Sequence, residues 1–137
     1  MQKVWDPLRR KEVALTPEEQ VRQWFIGLLM DSMKVPQHQM NSEVEFTYGA
    51  GKTYRADILV YGREGRRLAI VECKRPDVSL GKAVLEQILR YNMVLDAPYL
   101  FVTNGRSTFA AVREGENFVF MDHLPTYEEM IENQMIL

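Results

Sequence analysis

Three stretches of the chain carry apolar residues at helical spacing. The first, 16–35, opens with Thr16-Pro17-Glu18-Glu19, which supplies an N-cap Thr, a Pro at the first helical position and a Glu at N3. These features are typical of a helix start with a capping box. Apolar spacing continues over 80–95, before Pro98, and over the acidic segment 125–136. The pattern therefore predicts three helices.

Alternating or β-branched runs fill the gaps between these helices. Gly-containing turns separate the first three runs, and Asn104-Gly105 marks a later turn. The six predicted strands are 43–48, 53–61, 67–74, 98–103, 107–113 and 117–121. Residues 1–15 are predicted as an extended N-terminal arm, and 122–137 as an acidic C-terminal helix. The 137 residues are enough for one domain, with the α/β (α+β) order α-β-β-β-α-β-β-β-α.

Three charged residues interrupt the second and third of these strands. Asp57 stands in the run 55–60, and Glu72 and Lys74 stand in 69–76. Glu72 and Lys74 share a face because strand side chains alternate. If residue 61 pairs with 67, Asp57 lies opposite residue 71; if it pairs with 68, Asp57 lies opposite Glu72, on the same face.

Such a group of charges suits phosphodiester hydrolysis assisted by a metal ion. Two close carboxylates repel each other, and Mg²⁺ prefers carboxylate oxygens while it keeps several waters. Asp57, Glu72 and the main-chain carbonyl of Cys73 are the predicted ligands, and Lys74 would orient the attacking water. The alternative is a structural ion pair, since Glu-x-Lys is common on strands. Three charges within two apolar strands favour a site, because charges in a core are rarely left unpaired.

The order Asp57…Glu72-x-Lys74 resembles the PD-(D/E)xK nuclease motif, with Ala56 in place of the proline. The chain resembles the N-terminal nuclease domain of type I restriction enzyme R subunits and small stand-alone proteins built from that domain. The matching segments are LTPEEQVRQ (15–23), RADILVY (55–61), AIVECKRP (69–76), EQILRYN (86–92) and FVTNG (101–105). The resemblance implies an α-β-β-β-α-β core with a mixed sheet flanked by helices. It also implies DNA as substrate and Mg²⁺ as cofactor, with Mn²⁺ able to substitute.

The resemblance adds three supporting residues. Gln87 and Tyr91 match a Q-x-x-x-Y element, and they fall on one stripe of the second helix that we expect to face the sheet. The alternative for Gln87 is a core-edge side chain bonded to the backbone. A Glu of the first helix often completes such sites. We expect Glu18 rather than Glu19 to face the sheet, while Arg22 is open between a solvated and a site-supporting role.

Net charge weighs against a nucleic-acid partner until its distribution is considered. The total is −2, but 1–112 carry 16 basic and 13 acidic residues, and 113–137 carry one Arg and six acids. Residues 52–91 carry nine basic and five acidic residues, so the middle of the chain can attract an anion.

The remaining features set expectations for partners and location. No Gly-x-x-x-x-Gly-Lys-Ser/Thr loop occurs, so no ATP motor is expected within this sequence. With one Cys and no apolar run of membrane-spanning length, the chain is expected to be cytoplasmic and off the membrane. Expected partners are DNA, a second copy or other restriction-system subunits. The alternative functions are a non-catalytic DNA- or protein-binding module, or an interaction domain with an acidic tail.

Overall fold

The computed structural model describes residues 1–136, so the last residue of the predicted segment 122–137 lies outside it. Within that range the strands are β1 Lys3–Asp6, β2 Lys11–Ala14, β3 Met40–Tyr48, β4 Lys52–Tyr61, β5 Arg67–Cys73, β6 Tyr99–Thr103, β7 Thr108–Glu114 and β8 Asn117–Phe120. The helices are α1 Pro17–Asp31, α2 Lys82–Asn92 and α3 Tyr127–Ile136. None of the helices described has the length and apolar character needed to cross a bilayer.

The main sheet is mixed, as the sequence predicts. Its six strands follow the order β3-β4-β5-β6-β7-β8, and only β5 and β6 pair in parallel. Parallel neighbours need a long crossover, which α2 provides between β5 and β6. The predicted α/β class and the core order α-β-β-β-α-β are confirmed by α1, β3, β4, β5, α2 and β6.

Helices cover both faces of this sheet. Phe25 of α1 and Met130 of α3 pack on one face, and Leu85 and Ile88 of α2 pack on the other. The central strands β5 and β6 are consequently buried on both sides, which explains their nearly continuous apolar sequences. A charge in β5 therefore needs a partner.

Helix α1 starts at the predicted point but uses only half of the capping box. Thr16 Oγ1 accepts a hydrogen bond from the Glu19 N–H at 3.1 Å. The Thr16 N–H donates to the Ala14 carbonyl instead of to Glu19. The Glu19 carboxylate is thus left for other partners.

The first fifteen residues form a hairpin rather than an extended arm. β1 and β2 pair antiparallel from Lys3↔Ala14 to Asp6↔Lys11. The buried Asp6 carboxylate closes the turn by accepting hydrogen bonds from the Leu8 N–H at 2.8 Å and from the Arg9 guanidinium. Asp commonly binds the backbone two residues on, so Asp6-Pro7 marks a turn that the prediction of an arm missed.

We predict that Phe25→Ala lowers the free energy of unfolding by about 3–5 kcal/mol, because it opens a cavity between α1 and the sheet. Its neighbour Trp24 is 47% exposed, against 0% for Phe25. Trp24→Ala is the matched control and is expected to cost less than about 1 kcal/mol. Urea unfolding measures both, and equal losses would contradict this packing.

Candidate active site

Asp57 and Glu72 meet across the β4–β5 pair. The pairs Leu59↔Ile70 and Ile58↔Val71, extended by one residue, place Asp57 opposite Glu72. Tyr61 nevertheless pairs with Arg67, because the register shifts by one residue between Val60 and Tyr61. Tyr61 thus has the partner of the first register, and Asp57 has that of the second. The shared face expected for Asp57 and Glu72 is wrong, because Asp57 turns to Arg22 on the α1 side and Glu72 to Tyr54 on the α2 side.

The β3–β4 ladder is broken beside Asp57. Ser42↔Ile58 and Val44↔Ala56 pair, but the ladder skips Glu43, which has a positive φ of 52°. Such a φ is costly for a residue other than Gly, Asn or Asp. Side-chain alternation shifts at the same place, since Ala56 packs on the α2 side and Ile58 on the α1 side of the sheet.

The Asp57 carboxylate is held from two directions. Oδ2 accepts a hydrogen bond from the Cys73 N–H at 2.6 Å, and Oδ1 lies 3.1 Å from Nη2 of Arg22. Burial raises the pKa of Asp57 to about 7, and the charge of Glu72 adds to the rise against the effect of the Cys73 N–H. A carboxyl with a pKa near neutrality is typical of functional sites.

Glu72 lies on the α2 side with two partners of its own. The Tyr54 O–H donates to Oε2, and Lys74 Nζ lies 3.5 Å from Oε1. Burial raises the pKa of Glu72, while Tyr54 and Lys74 oppose that rise. The Lys74 side chain is 35% exposed, so its ammonium also faces the solvent.

Arg22 is a buried cation that links four carboxylates. It is 5% exposed, which excludes a solvated helix face. Its nitrogens lie 3.1 Å from Asp57, 3.0 Å from Glu43, 3.3 Å from Glu19 and 3.9 Å from Glu18. Arg9 of the hairpin adds a second guanidinium, 2.6 Å from Glu19 and 3.4 Å from Glu43.

The two Glu of α1 exchange the positions expected from the sequence. Glu19 is buried between Arg9 and Arg22, whereas the Glu18 side chain is 45% exposed. Glu18 is nonetheless close enough for its charge to raise the pKa of both Asp57 and Glu72. The site role of Glu18 stays a prediction.

Gln87 and Tyr91 line the cleft and do not belong to the sheet-facing row of α2. That row is Leu85, Ile88 and Asn92, so the expected stripe is rotated toward the helix edge. Gln87 is exposed, and Tyr91 is 37% exposed. Both line a pocket of about 270 Å³ with Tyr54, Glu72 and Lys74.

The sequence interpretation missed Tyr54 and Asn92, which line the same pocket. Asn92 is 2% exposed, and its Oδ1 has no hydrogen-bond partner among the described residues. Tyr54 stands three residues before Asp57, which was expected to share the face of Glu72, so strict alternation places Tyr54 on the face opposite Glu72. The ladder break cancels that expectation. Asn92 could have been found from the sequence, because it is a polar residue in the apolar row of α2.

The oxygen donors suit a hard divalent cation. Two largely buried carboxylates that repel each other match the preference of Mg²⁺ for carboxylate oxygens, and this ion retains several waters. No group of three or more His, Cys, Asp and Glu side chains within residues 1–136 is arranged to hold a metal. The Cys73 thiol is buried on the α1 side, and burial raises its pKa well above the ordinary value. The main-chain carbonyl of Cys73, and not this thiol, stays the predicted metal ligand.

Comparison with known proteins identifies the family of this chain. Residues 17–125 match the family described as type I restriction enzyme R protein N terminus (HSDR_N). This match covers well over half of the chain. The chain belongs to this family of R protein N-terminal domains.

Relatives of the R protein N-terminal domain are much longer than this chain. It is 33% identical over 82 residues to the Type I restriction enzyme EcoAI endonuclease subunit of Escherichia coli, which covers 60% of this chain and 9% of that subunit. A fragment of a candidate HsdR subunit from Vibrio vulnificus superposes with a TM-score of 0.62 at 19% identity, over 89% of this chain and 26% of that one.

A third comparison supports the fold. A nuclease candidate of the DUF820 group from Anabaena variabilis superposes with a TM-score of 0.51 at 12% identity, over 89% of this chain and 86% of that one. These two likenesses between structures concern the restriction-endonuclease-like fold alone.

We predict that Arg22→Met lowers the free energy of unfolding by about 3–5 kcal/mol, because it leaves buried carboxylates without their cation. The control is Arg55→Met, whose pair with Glu45 spans 3.6 Å between side chains that are 61% and 56% exposed. The control is expected to cost less than about 1 kcal/mol. If urea unfolding gave an equally small loss of unfolding free energy for both variants, the buried carboxylates would not depend on Arg22.

Proposed function

We propose that this R protein N-terminal domain hydrolyses DNA phosphodiester bonds in a reaction that depends on Mg²⁺, with Mn²⁺ able to substitute. The observation that carries the proposal is that Asp57 and Glu72 are neighbours across the β4–β5 pair, close enough for the charge of Glu72 to raise the pKa of Asp57. Lys74 Nζ lies 3.5 Å from Glu72. Burial raises the pKa of both carboxyls. Keeping both groups charged therefore lowers the stability of the fold, and a bound cation would offset this cost.

Asp57, Glu72 and the Cys73 carbonyl would hold the ion. When bound, Mg²⁺ would polarise a phosphoryl oxygen and lower the pKa of a bound water. The Lys74 ammonium, beside Glu72 and partly exposed to the cleft, would orient the attacking water and stabilise negative charge on the phosphorane. Gln87 and Tyr91, on the wall of the cleft, would contact the substrate.

Several side chains would keep the carboxylates in place. Arg22 and the Cys73 N–H bind separate oxygens of Asp57, so its plane has little freedom to rotate. Burial raises the pKa of Tyr54 far above its ordinary value, so its O–H stays available to donate to Glu72. Glu18 would add negative charge at the mouth of the site.

DNA is the proposed partner, and the excess of basic residues over 52–91 supports this choice. The chain covers 9% of the Escherichia coli endonuclease subunit. Because that relative is named as a subunit of a type I restriction enzyme, we propose that this chain works in the cytoplasm with other restriction-system subunits or with a second copy of itself, which would provide additional contacts to DNA.

One observation favours a second candidate, a non-catalytic DNA- or protein-binding module. Each Asp57 oxygen already has a protein partner, Arg22 or the Cys73 N–H. A carboxylate that only holds a fold together is satisfied in the same way. Metal binding separates the two candidates.

We predict that the protein nicks or linearises supercoiled plasmid in Mg²⁺ or Mn²⁺ and is inactive in EDTA. Lys74→Ala should lower the rate by about 10²–10⁴-fold, the usual contribution of a residue that assists proton transfer. Lys82→Ala is the matched control, since Lys82 is 90% exposed and pairs only loosely with Glu86 at 3.9 Å. Activity that survives Lys74→Ala would remove the catalytic assignment of this residue.

We predict that calorimetric titration with Mn²⁺ detects one site, which Glu72→Ala abolishes and Glu45→Ala leaves unchanged. Glu72 faces the cleft, whereas the Glu45 side chain is 56% exposed on β3. Unfolding curves check that both variants fold. The absence of heat with the wild-type protein would favour the non-catalytic module.

A further inference from the structure

A second pocket continues the cleft toward the turn between β3 and β4. It measures about 520 Å³ and shares Gln87 and Tyr91 with the pocket that holds Glu72 and Lys74. Tyr48, Lys52, Arg90 and Val94 are among its other lining residues. A groove therefore runs from the candidate active site along the edge of α2.

Aromatic rings form the floor where the two pockets join. The Tyr91 ring lies 4.7 Å from that of Tyr54 and 5.6 Å from that of Tyr48, the latter edge to face at 87°. The Tyr91 O–H donates to the Thr53 carbonyl at 3.2 Å. These contacts hold the ring in position although it is 37% exposed.

The rim of the groove is cationic and partly apolar. Lys52 and Arg90 are exposed beside the rings, and Val94 is 58% exposed near the end of α2. The exposed Tyr91 ring and the half-buried Tyr48 ring stand next to exposed cations. This arrangement matches the way in which proteins bind single-stranded nucleic acid, with bases stacked on aromatic faces and phosphates near basic side chains. Duplex bases have their faces covered by stacking, so a duplex gains little from such rings.

We propose that Tyr48 and Tyr91, with Lys52 and Arg90, form a platform for unpaired bases of a DNA strand that enters the cleft. The substrate is then single-stranded DNA or a duplex that is locally open, at a frayed or forked end or where negative supercoiling separates the strands. This inference rests on DNA being the partner in the proposed function. Beyond that function, it specifies which form of DNA binds and which residues select that form.

The test is a binding measurement in EDTA, where neither metal nor cleavage contributes. Fluorescence anisotropy compares a labelled 20-nucleotide single strand, a forked duplex and a blunt duplex of the same sequence. We expect the single strand and the fork to bind at least about tenfold more tightly than the blunt duplex. Tyr48→Ala should weaken single-strand binding roughly tenfold, in line with the loss of one stacked base.

Three variants isolate the ring, the charge and the location. Tyr48→Phe keeps the ring and should retain binding, whereas Trp5→Ala removes a ring that is 58% exposed on the hairpin and should have no effect. Replacing Lys52 and Arg90 with Ala should lessen the slope of log affinity against log salt by about 1.4, as expected for two single-strand phosphates. This pair tests the surface even if Tyr48→Ala fails to fold.

A 2-aminopurine in the single strand gives a direct readout of stacking. Its fluorescence should fall on binding to the wild-type protein and to Tyr48→Phe, and fall less with Tyr48→Ala. Equal affinity for single strand and blunt duplex, or binding indifferent to both Tyr48→Ala and the Lys52/Arg90 change, would overturn the platform. Single-strand preference without any cleavage would support the platform and sink the proposed function instead.

Discussion

The burial of Arg22 among carboxylates is the interaction on which the rest of the structure depends. Asp57 and Glu72 occupy strands with helices on both faces, so each needs a cation or a donor in place of water. Arg22 supplies this to Asp57 and also binds Glu43 and Glu19. One side chain thereby links α1, β3 and β4, and Arg9 adds the N-terminal hairpin to the same cluster.

The strand irregularity at Glu43 and Asp57 separates two environments for the carboxylates. Asp57 reaches the α1 side and the Arg22 cluster, while Glu72 reaches the α2 side, Tyr54 and the cleft. A regular ladder would place both carboxylates on one face and in closer repulsion. The positive φ of Glu43 is the local cost of this separation.

Much of the fold follows from residue patterns with short-range causes. The helix starts, the six main strands and the α-β-β-β-α-β order are readable because periodicity, capping and turn residues act within a few positions. The same local logic places Glu72 and Lys74 on one face. It fails for Gln87, whose exposure depends on how α2 rotates against the sheet, and for residues 7–10, where the Asp6 turn was overlooked.

By itself, the sequence determined the class of fold, the family resemblance and the shared face of Glu72 and Lys74, because these depend on side-chain alternation and residue order. Only the tertiary structure decided that Arg22 is buried, that Glu19 rather than Glu18 is enclosed, and that Tyr54 turns to Glu72. These facts arise from the shift at Glu43 and Asp57 and from contacts between segments far apart in the chain. No window of local sequence encodes such contacts.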